Sequence, residues 1–365
     1  MVINVQAAVA HGQKQRLKVE TLSLDSVLPG EVLIEMKASG LCHTDLSLFD
    51  GSRHWDDYPL VLGHEGAGVA LECGAGVTSI KPGDHVLLGA IPECGECPAC
   101  RSKLTNLCET YFKPYSRRPF SLNGRNVRAF VELGTFSSHI VVRETQVCKI
   151  RSDAPLDIVC CMGCAGATGL GAVMFTARVT SGSTVVVFGL GGIGTNVIDG
   201  ARLSGASRII GVDTNPLKEK TARAAGATDF INPKDIKGDL VGYLRELTGG
   251  GADYSFECVG SAELWRQAVE CTRIGWGTAT MVGLPPSSAE TIAFRPRSIL
   301  EGRRIMGCYI GNVKTRSQLP ELVDWYMEGR LSLDQLVSQR ISLDQINEGF
   351  DSLKAGNVLR SVVLF

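Results

Sequence analysis

Six short apolar runs, most of them separated by a helix-length segment, constrain this chain more than any other feature. The runs are Thr184–Phe188, Arg208–Val212, Asp229–Ile231, Asp253–Phe256, Thr278–Val282 and one near Ile305–Cys308. Gly194–Leu203, Pro216–Ala225, Lys237–Leu247 and Ala262–Thr272 lie between them with helical patterning. A strand apolar at every position is buried on both faces, and helices crossing between parallel strands are what cover it. The stretch from Ala165 to Ile305 therefore predicts a doubly wound, six-stranded parallel sheet, an α/β fold. Before it, Met1 to Gly163 is mostly β: Glu31–Lys37 alternates, and Lys81-Pro-Gly-Asp84 turns into the strand His85–Leu88. Leu60–Leu62, Gly68–Glu72 and Ile140–Val142 are similar pieces. After it, two helical patterns (Leu319–Glu328 and Asp344–Leu353) precede a last strand, Ser361–Phe365. The central sheet needs no further strand, so this tail is expected to fold back onto the first stretch. The expected division is 1–165 with a cysteine-rich lobe at 90–110, then 166–309, then a return segment 310–365.

Composition narrows the function classes. The chain has 365 residues, enough for two domains, with 37 basic and 38 acidic side chains. That balance provides no general attraction to nucleic acid or anionic membranes. No apolar run has the ~18 residues a membrane helix requires. Met1 to Gln15 lacks the pattern of a secretory signal, so a cytoplasmic protein is expected. Thirteen cysteines in a reducing compartment point to metal rather than disulfides.

Thr184–Phe188 runs directly into Gly189-Leu-Gly-Gly-Ile-Gly194 and then into a helix. A lone G-x-G-x-x-G is a weak signal, but strand before and helix after are the context a pyrophosphate needs. Gly189 allows the tight turn, Gly191 the close approach of phosphate, and Gly194 the packing of helix on strand. Gly192 and Ile193 then sit at the helix start, where unpaired N–H groups face an anion. Asp213, at the end of the next strand, is placed to accept from a ribose and to repel a 2′-phosphate, favouring NAD over NADP. Lys218 is either a second ribose contact or a solvated helix lysine.

Cys94, Cys97, Cys100 and Cys108 form C-x2-C-x2-C-x7-C, a spacing that can enclose one tetrahedral ion. An iron–sulfur cluster and redox thiols are the competing uses; the closed four-thiolate set favours structural zinc. A dispersed set is made of Cys42 in Gly-Leu-Cys-His-Thr-Asp45, His64 in Gly-His-Glu-Gly66, and Cys164. Two cysteines and a histidine leave a fourth coordination position open, as catalytic zinc sites do. Asp45 and Glu65 are carboxylates able to orient His64 or balance the metal charge.

These motifs, in this order and over essentially the whole chain, resemble the zinc-containing medium-chain alcohol dehydrogenases. The resemblance implies a GroES-like catalytic domain built from both chain ends around an NAD-binding Rossmann domain. It implies two Zn2+ per chain and reversible hydride transfer between NAD and a small alcohol or aldehyde. Cys42, His64 and Cys164 match the catalytic zinc ligands, Glu65 the nearby movable carboxylate, and Thr44 the hydroxyl that accepts the alcohol proton. His43 and Arg360 match cofactor-phosphate contacts, Thr168 a residue near the nicotinamide, and Val259 and Leu284 the cofactor cleft. Family members of this kind are often homodimers, with homotetramers as the other arrangement. A catalytically silent relative serving as a binding protein would be expected to lack a ligand of the open site, and none is lacking. An NADP-linked reductase is disfavoured by Asp213.

Three departures bear on substrate. Ser47 stands where well-known members carry a relay histidine, so the proton is expected to reach water without passing through His54. Phe112 stands where the glutathione-dependent formaldehyde branch carries an arginine. The neighbouring cations Lys113, Arg117, Arg118, Arg125 and Arg128 form either a solvated loop or an anion-recognition patch. Ala90 replaces a bulky aromatic near the substrate, with Trp55, Phe130 and Tyr309 as expected walls. The reading that follows is a bulky or aromatic primary alcohol, with S-(hydroxymethyl)glutathione as the alternative.

Overall fold

A computed structural model describes residues 2–113, 116–289 and 291–365 of the chain. It divides into two compact units: one runs to Cys164 and resumes at Lys314, and the other is Ala165–Val313.

In the first unit, Ile3–Ala10, Lys18–Leu24, Phe120–Leu122, Arg125–Ala129 and Leu60–Val61 close into a small barrel. A second sheet has the order Val147–Lys149, His85–Leu88, Glu65–Cys73, Glu31–Gly40, Arg360–Leu364, Val337–Ser342, and His139–Arg143 also pairs with Glu31–Gly40. The central strand Glu31–Gly40 obeys its period: Val32, Ile34, Met36 and Ala38 are all buried. Its register does more than build a core. Gly40 pairs with Glu65 on one side and with Val362 on the other. Cys42 therefore leaves the end of one strand beside the place where His64 enters the next, and Arg360 begins the third. Val337–Ser342, which pairs in parallel with Arg360–Leu364, was not expected from the sequence. Its residues alternate between half-buried and exposed, so no apolar face announces it.

In the second unit all six strands are parallel, in the order Asp229–Ile231, Arg208–Val212, Thr184–Phe188, Tyr254–Glu257, Thr278–Met281, Arg304–Gly307. Val185 and Val187 join one hydrophobic cluster with Ile198 and Ala201, whereas Val186 and Phe188 join another with Leu244 and Ala268. Both faces of the strand are thus covered, which is why it carries no polar alternation. The segment expected as a helix from Lys237 is helical only over Leu240–Leu247. Gly238 takes a φ of 107°, and the Asp239 carboxylate caps the helix by accepting from the Val241 and Gly242 amides. Among the described residues no single helix is long and apolar enough to cross a membrane.

Candidate active site

The dispersed cysteines and histidine meet in the first unit. The ligand atoms of Cys42, His64, Glu65 and Cys164 all lie within 4.8 Å of one another, and all four residues are buried. Cys42 sits at the N-cap of the helix His43–Asp50, with extended backbone angles that turn its sulfur out of the helix. Cys164 interrupts two helical segments, Cys160–Gly163 and Ala165–Gly171, at φ −137° and ψ −75°. His64 Nδ1 is 3.1 Å from both oxygens of the fully buried Asp45 carboxylate, which also accepts from the Gly63 amide. Donation from Nδ1 leaves the Nε2 lone pair for a metal, so Asp45 sets the tautomer.

Glu65 is the fourth donor of this cluster, and Arg360 holds it. The guanidinium meets the two carboxylate oxygens through Nε and Nη2, each at 3.2 Å, and Nη2 lies 3.7 Å from the Cys42 sulfur. Arg360, matched by the family resemblance to a cofactor-phosphate contact, is paired here with Glu65, because the register of the last strand delivers it there. The charges are mutually adjusted. The sulfur contact with Cys164 and the cations Arg360 and His64 bring the Cys42 thiol well below its ordinary range despite burial. Burial opposes a charge on His64, yet Asp45 raises its pKa well above the usual value. Burial pushes the Glu65 carboxyl up to about 7, against the pull of Arg360.

This donor set fits zinc: two thiolates, one imidazole and a carboxylate held by an arginine rather than locked by backbone. The second set fits as well. Tetrahedral arms of 2.3 Å place thiolate sulfurs about 3.8 Å apart. The Cys94–Cys100 and Cys97–Cys108 sulfurs are 3.8 and 3.9 Å apart, and all four sulfurs lie within 4.8 Å. Backbone amides of Glu96 and Cys97 point at the Cys94 sulfur, and that of Cys100 at the Cys97 sulfur, as they do for thiolates. Among the described residues no cysteine is in a disulfide.

Around the open cluster, Thr44 is half-buried on the first helical turn and His43 is exposed. The Ser47 hydroxyl donates to the Thr44 carbonyl at 2.8 Å, and His54 is exposed. The Phe130 ring meets His64 edge-on at 5.6 Å and Trp55 at 6.2 Å, an aromatic wall, while Ala90 is buried. Tyr309 belongs to the other unit and is exposed. The basic loop is largely neutralised by acids from elsewhere in the chain. Arg117 pairs with Glu31 at 2.7 Å, and Arg118 and Arg128 share Asp57 at 3.0 Å. Lys113 and Arg125 are exposed, and positions 114 and 115 lie outside the described residues.

In the second unit the glycine loop has the geometry its spacing asks for. Gly189 has φ 85°, and Gly191 caps the helix Gly192–Leu203, which contains Ile193 and Gly194. A Cβ on Gly194 would lie 1.9 Å from the Gly189 carbonyl, so only glycine lets this helix meet this strand. The Asp213 carboxylate accepts from the Leu190 amide at 2.8 Å and the Asn215 amide at 2.9 Å. Lys218 Nζ is 3.1 Å from it, a partly buried ion pair. Thr168 is buried on a helix packed against Gly192–Leu203, while Val259 and Leu284 are exposed apolar residues on loops after their strands. Glu257 was not singled out from the sequence. Fully buried, it accepts from the amides of Val259 and Gly260 and from the Trp265 indole, shaping the loop that presents Val259. A carboxylate at the end of a parallel strand was the only signal, and Asp213 had the same one.

A barrel-containing β unit with two metal-ligand clusters, joined to a parallel sheet with a phosphate-binding turn, defines a zinc-dependent dehydrogenase. Residues 28–152 match the alcohol dehydrogenase GroES-like domain, and residues 192–328 the zinc-binding dehydrogenase domain. The chain belongs to the zinc-containing medium-chain alcohol dehydrogenase family and is an oxidoreductase of that zinc- and NAD-dependent type. More particularly, it is 44% identical to the S-(hydroxymethyl)glutathione dehydrogenase of Paracoccus denitrificans and 43% identical to the alcohol dehydrogenase class-3 of Cereibacter sphaeroides. Both alignments cover 100% of each chain. Among solved structures, benzyl alcohol dehydrogenase from Acinetobacter calcoaceticus superposes with a TM-score of 0.91 at 30% identity, over 100% of this chain and 99% of that one.

Proposed function

We propose that this chain catalyses NAD-linked oxidation of S-(hydroxymethyl)glutathione, and the reverse reduction, at the buried Cys42–His64–Cys164 site. The observation that carries the substrate is whole-chain identity of 42–44% to relatives named for that activity or for class-3 alcohol dehydrogenase. The expected preference for bulky or aromatic alcohols becomes the second reading. The aromatic wall of Trp55 and Phe130 beside His64, and the likeness to a benzyl alcohol dehydrogenase, favour it.

When bound, zinc supplies Lewis acidity toward the substrate oxygen and NAD supplies the hydride acceptor. Cys42, His64 and Cys164 would hold the ion, and Asp45, bonded to His64 Nδ1, would leave Nε2 as the ligating nitrogen. Glu65, steadied by Arg360, would stand beside the ion as its carboxylate neighbour. Thr44 Oγ1 accepts the alcohol proton and passes it to water, since Ser47 is engaged with the Thr44 carbonyl. Gly189, Gly191, Gly192, Ile193 and Gly194 receive the pyrophosphate, and Asp213 with Lys218 the ribose. His43, Thr168, Val259 and Leu284 complete the cofactor contacts. Phe130 and Trp55 exclude water from the reacting carbon. Arg117, Arg118 and Arg128 being paired, recognition of glutathione carboxylates falls to exposed cations such as Lys113 and Arg125.

The exposed edge strand Arg304–Gly307, with Ile299, Leu300 and Ile305 accessible beside it, supports a homodimer, a homotetramer being the other arrangement. Thirteen unpaired cysteines support a cytoplasmic location. The deciding assay is NADH formation at 340 nm with S-(hydroxymethyl)glutathione and with benzyl alcohol. A higher kcat/KM for the thiol adduct is expected; a higher value for benzyl alcohol transfers the assignment to the second reading.

A further inference from the structure

The tail that returns to the first unit begins by gripping the four-cysteine lobe. Lys314 Nζ donates to the carbonyls of Cys100 and Ser102, at the end of the short helix Pro98–Arg101. Thr315 Oγ1 donates to the Ile91 carbonyl at 2.5 Å, packed so closely that a Cβ on Gly89 would lie 2.2 Å from that oxygen. The Arg316 and Ser317 amides donate to the Glu93 carboxylate at 2.6 and 3.0 Å, and the Ser317 hydroxyl adds a third bond at 2.8 Å. Four consecutive residues thus clasp the chain on both sides: just before Cys94 and just after Cys100.

One of those residues is a cation. Four thiolates around one divalent zinc carry an excess of two negative charges, which backbone N–H groups and nearby cations offset. Arg101 and Lys103 of the lobe itself are exposed, where water and salt screen them. Lys314 is half-buried and pinned by two carbonyls of the loop that carries three of the sulfurs. We propose that Lys314 is the counter-cation of this lobe, a positioning residue that slows release of the metal held there. The inference rests on the lobe being a zinc site.

The test is zinc release from the purified holoprotein to a chromophoric chelator. Wild type is expected to hold two ions per chain and Cys97→Ala one, which assigns the lobe ion. Outer partners of metal ligands typically change affinity about 10- to 100-fold, so Lys314→Met is expected to release the lobe ion at least ~10-fold faster. Lys314→Arg should behave like wild type, and the second ion should leave at an unchanged rate. Lys314→Gln keeps an N–H donor without the charge and carries the same expectation should Lys314→Met fail to fold. Lobe-ion release at the wild-type rate from the uncharged variants overturns the inference while leaving the zinc lobe intact. A wild-type protein with one ion, unchanged by Cys97→Ala, overturns the lobe assignment and the inference with it.

Discussion

The two cysteine clusters of the first unit use the same sulfur chemistry but are built in opposite ways. Cys94, Cys97, Cys100 and Cys108 lie on one short stretch, the first three half-buried and Cys108 buried, with local backbone amides aimed at the sulfurs of Cys94 and Cys97 and the returning tail clasping the stretch from outside. Cys42, His64 and Cys164 come from three separate places, all buried; Glu65 and Arg360 are brought to them by strand register, and Asp45 by the helix that follows Cys42. A loop-built site takes all four ligands from one stretch of chain and suits a structural ion. A register-built site leaves one donor, Glu65, held by a distant arginine rather than by its own stretch of chain. The difference teaches that the site made for chemistry is the one whose parts the fold, not the loop, assembles.

Three substitutions probe this contrast. Cys164→Ala should remove one of the two zinc ions and lower kcat/KM by about 10³-fold or more, because several kcal/mol of charge stabilisation depend on that ion. Elemental analysis with steady-state kinetics checks it, and retained activity with one ion per chain breaks the assignment. Cys97→Ala should instead act mainly on stability. A loss of about 3–5 kcal/mol corresponds to a fall of roughly 10 °C in Tm, read by differential scanning calorimetry, with the folded fraction still turning over. Asp45→Asn should be milder, weakening retention of the catalytic ion by about 10- to 100-fold. Competition with a chelator measures it, and the lobe ion should be unaffected.

Much of the second unit could be read from residue order alone. Val185–Phe188 is apolar at successive positions because both faces are covered, and Gly189 and Gly194 stand where a positive φ and a 1.9 Å approach admit nothing larger. The four-cysteine lobe was equally legible, since its ligands lie within one loop. Other features left no local trace. Val337–Ser342 has no fully buried position and is a strand only because Arg360–Leu364 lies beside it. The basic loop between Lys113 and Arg128 looked unpaired, yet Asp57 and Glu31 reach its arginines from other elements. Glu257 gained a role only once the loop from Val259 to Ser261 folded over its carboxylate.

What residue order determined by itself was every feature governed by neighbours a few positions away: strand and helix periods, the glycine turn, the closed thiolate loop. These follow from backbone sterics and ligand reach, which act over one turn or one hairpin. Tertiary structure alone decided which distant groups share a charge environment. Pairing Gly40 with both Glu65 and Val362 places Arg360 on Glu65 and both against Cys42, and a shift of register by one residue would point these side chains to the opposite face.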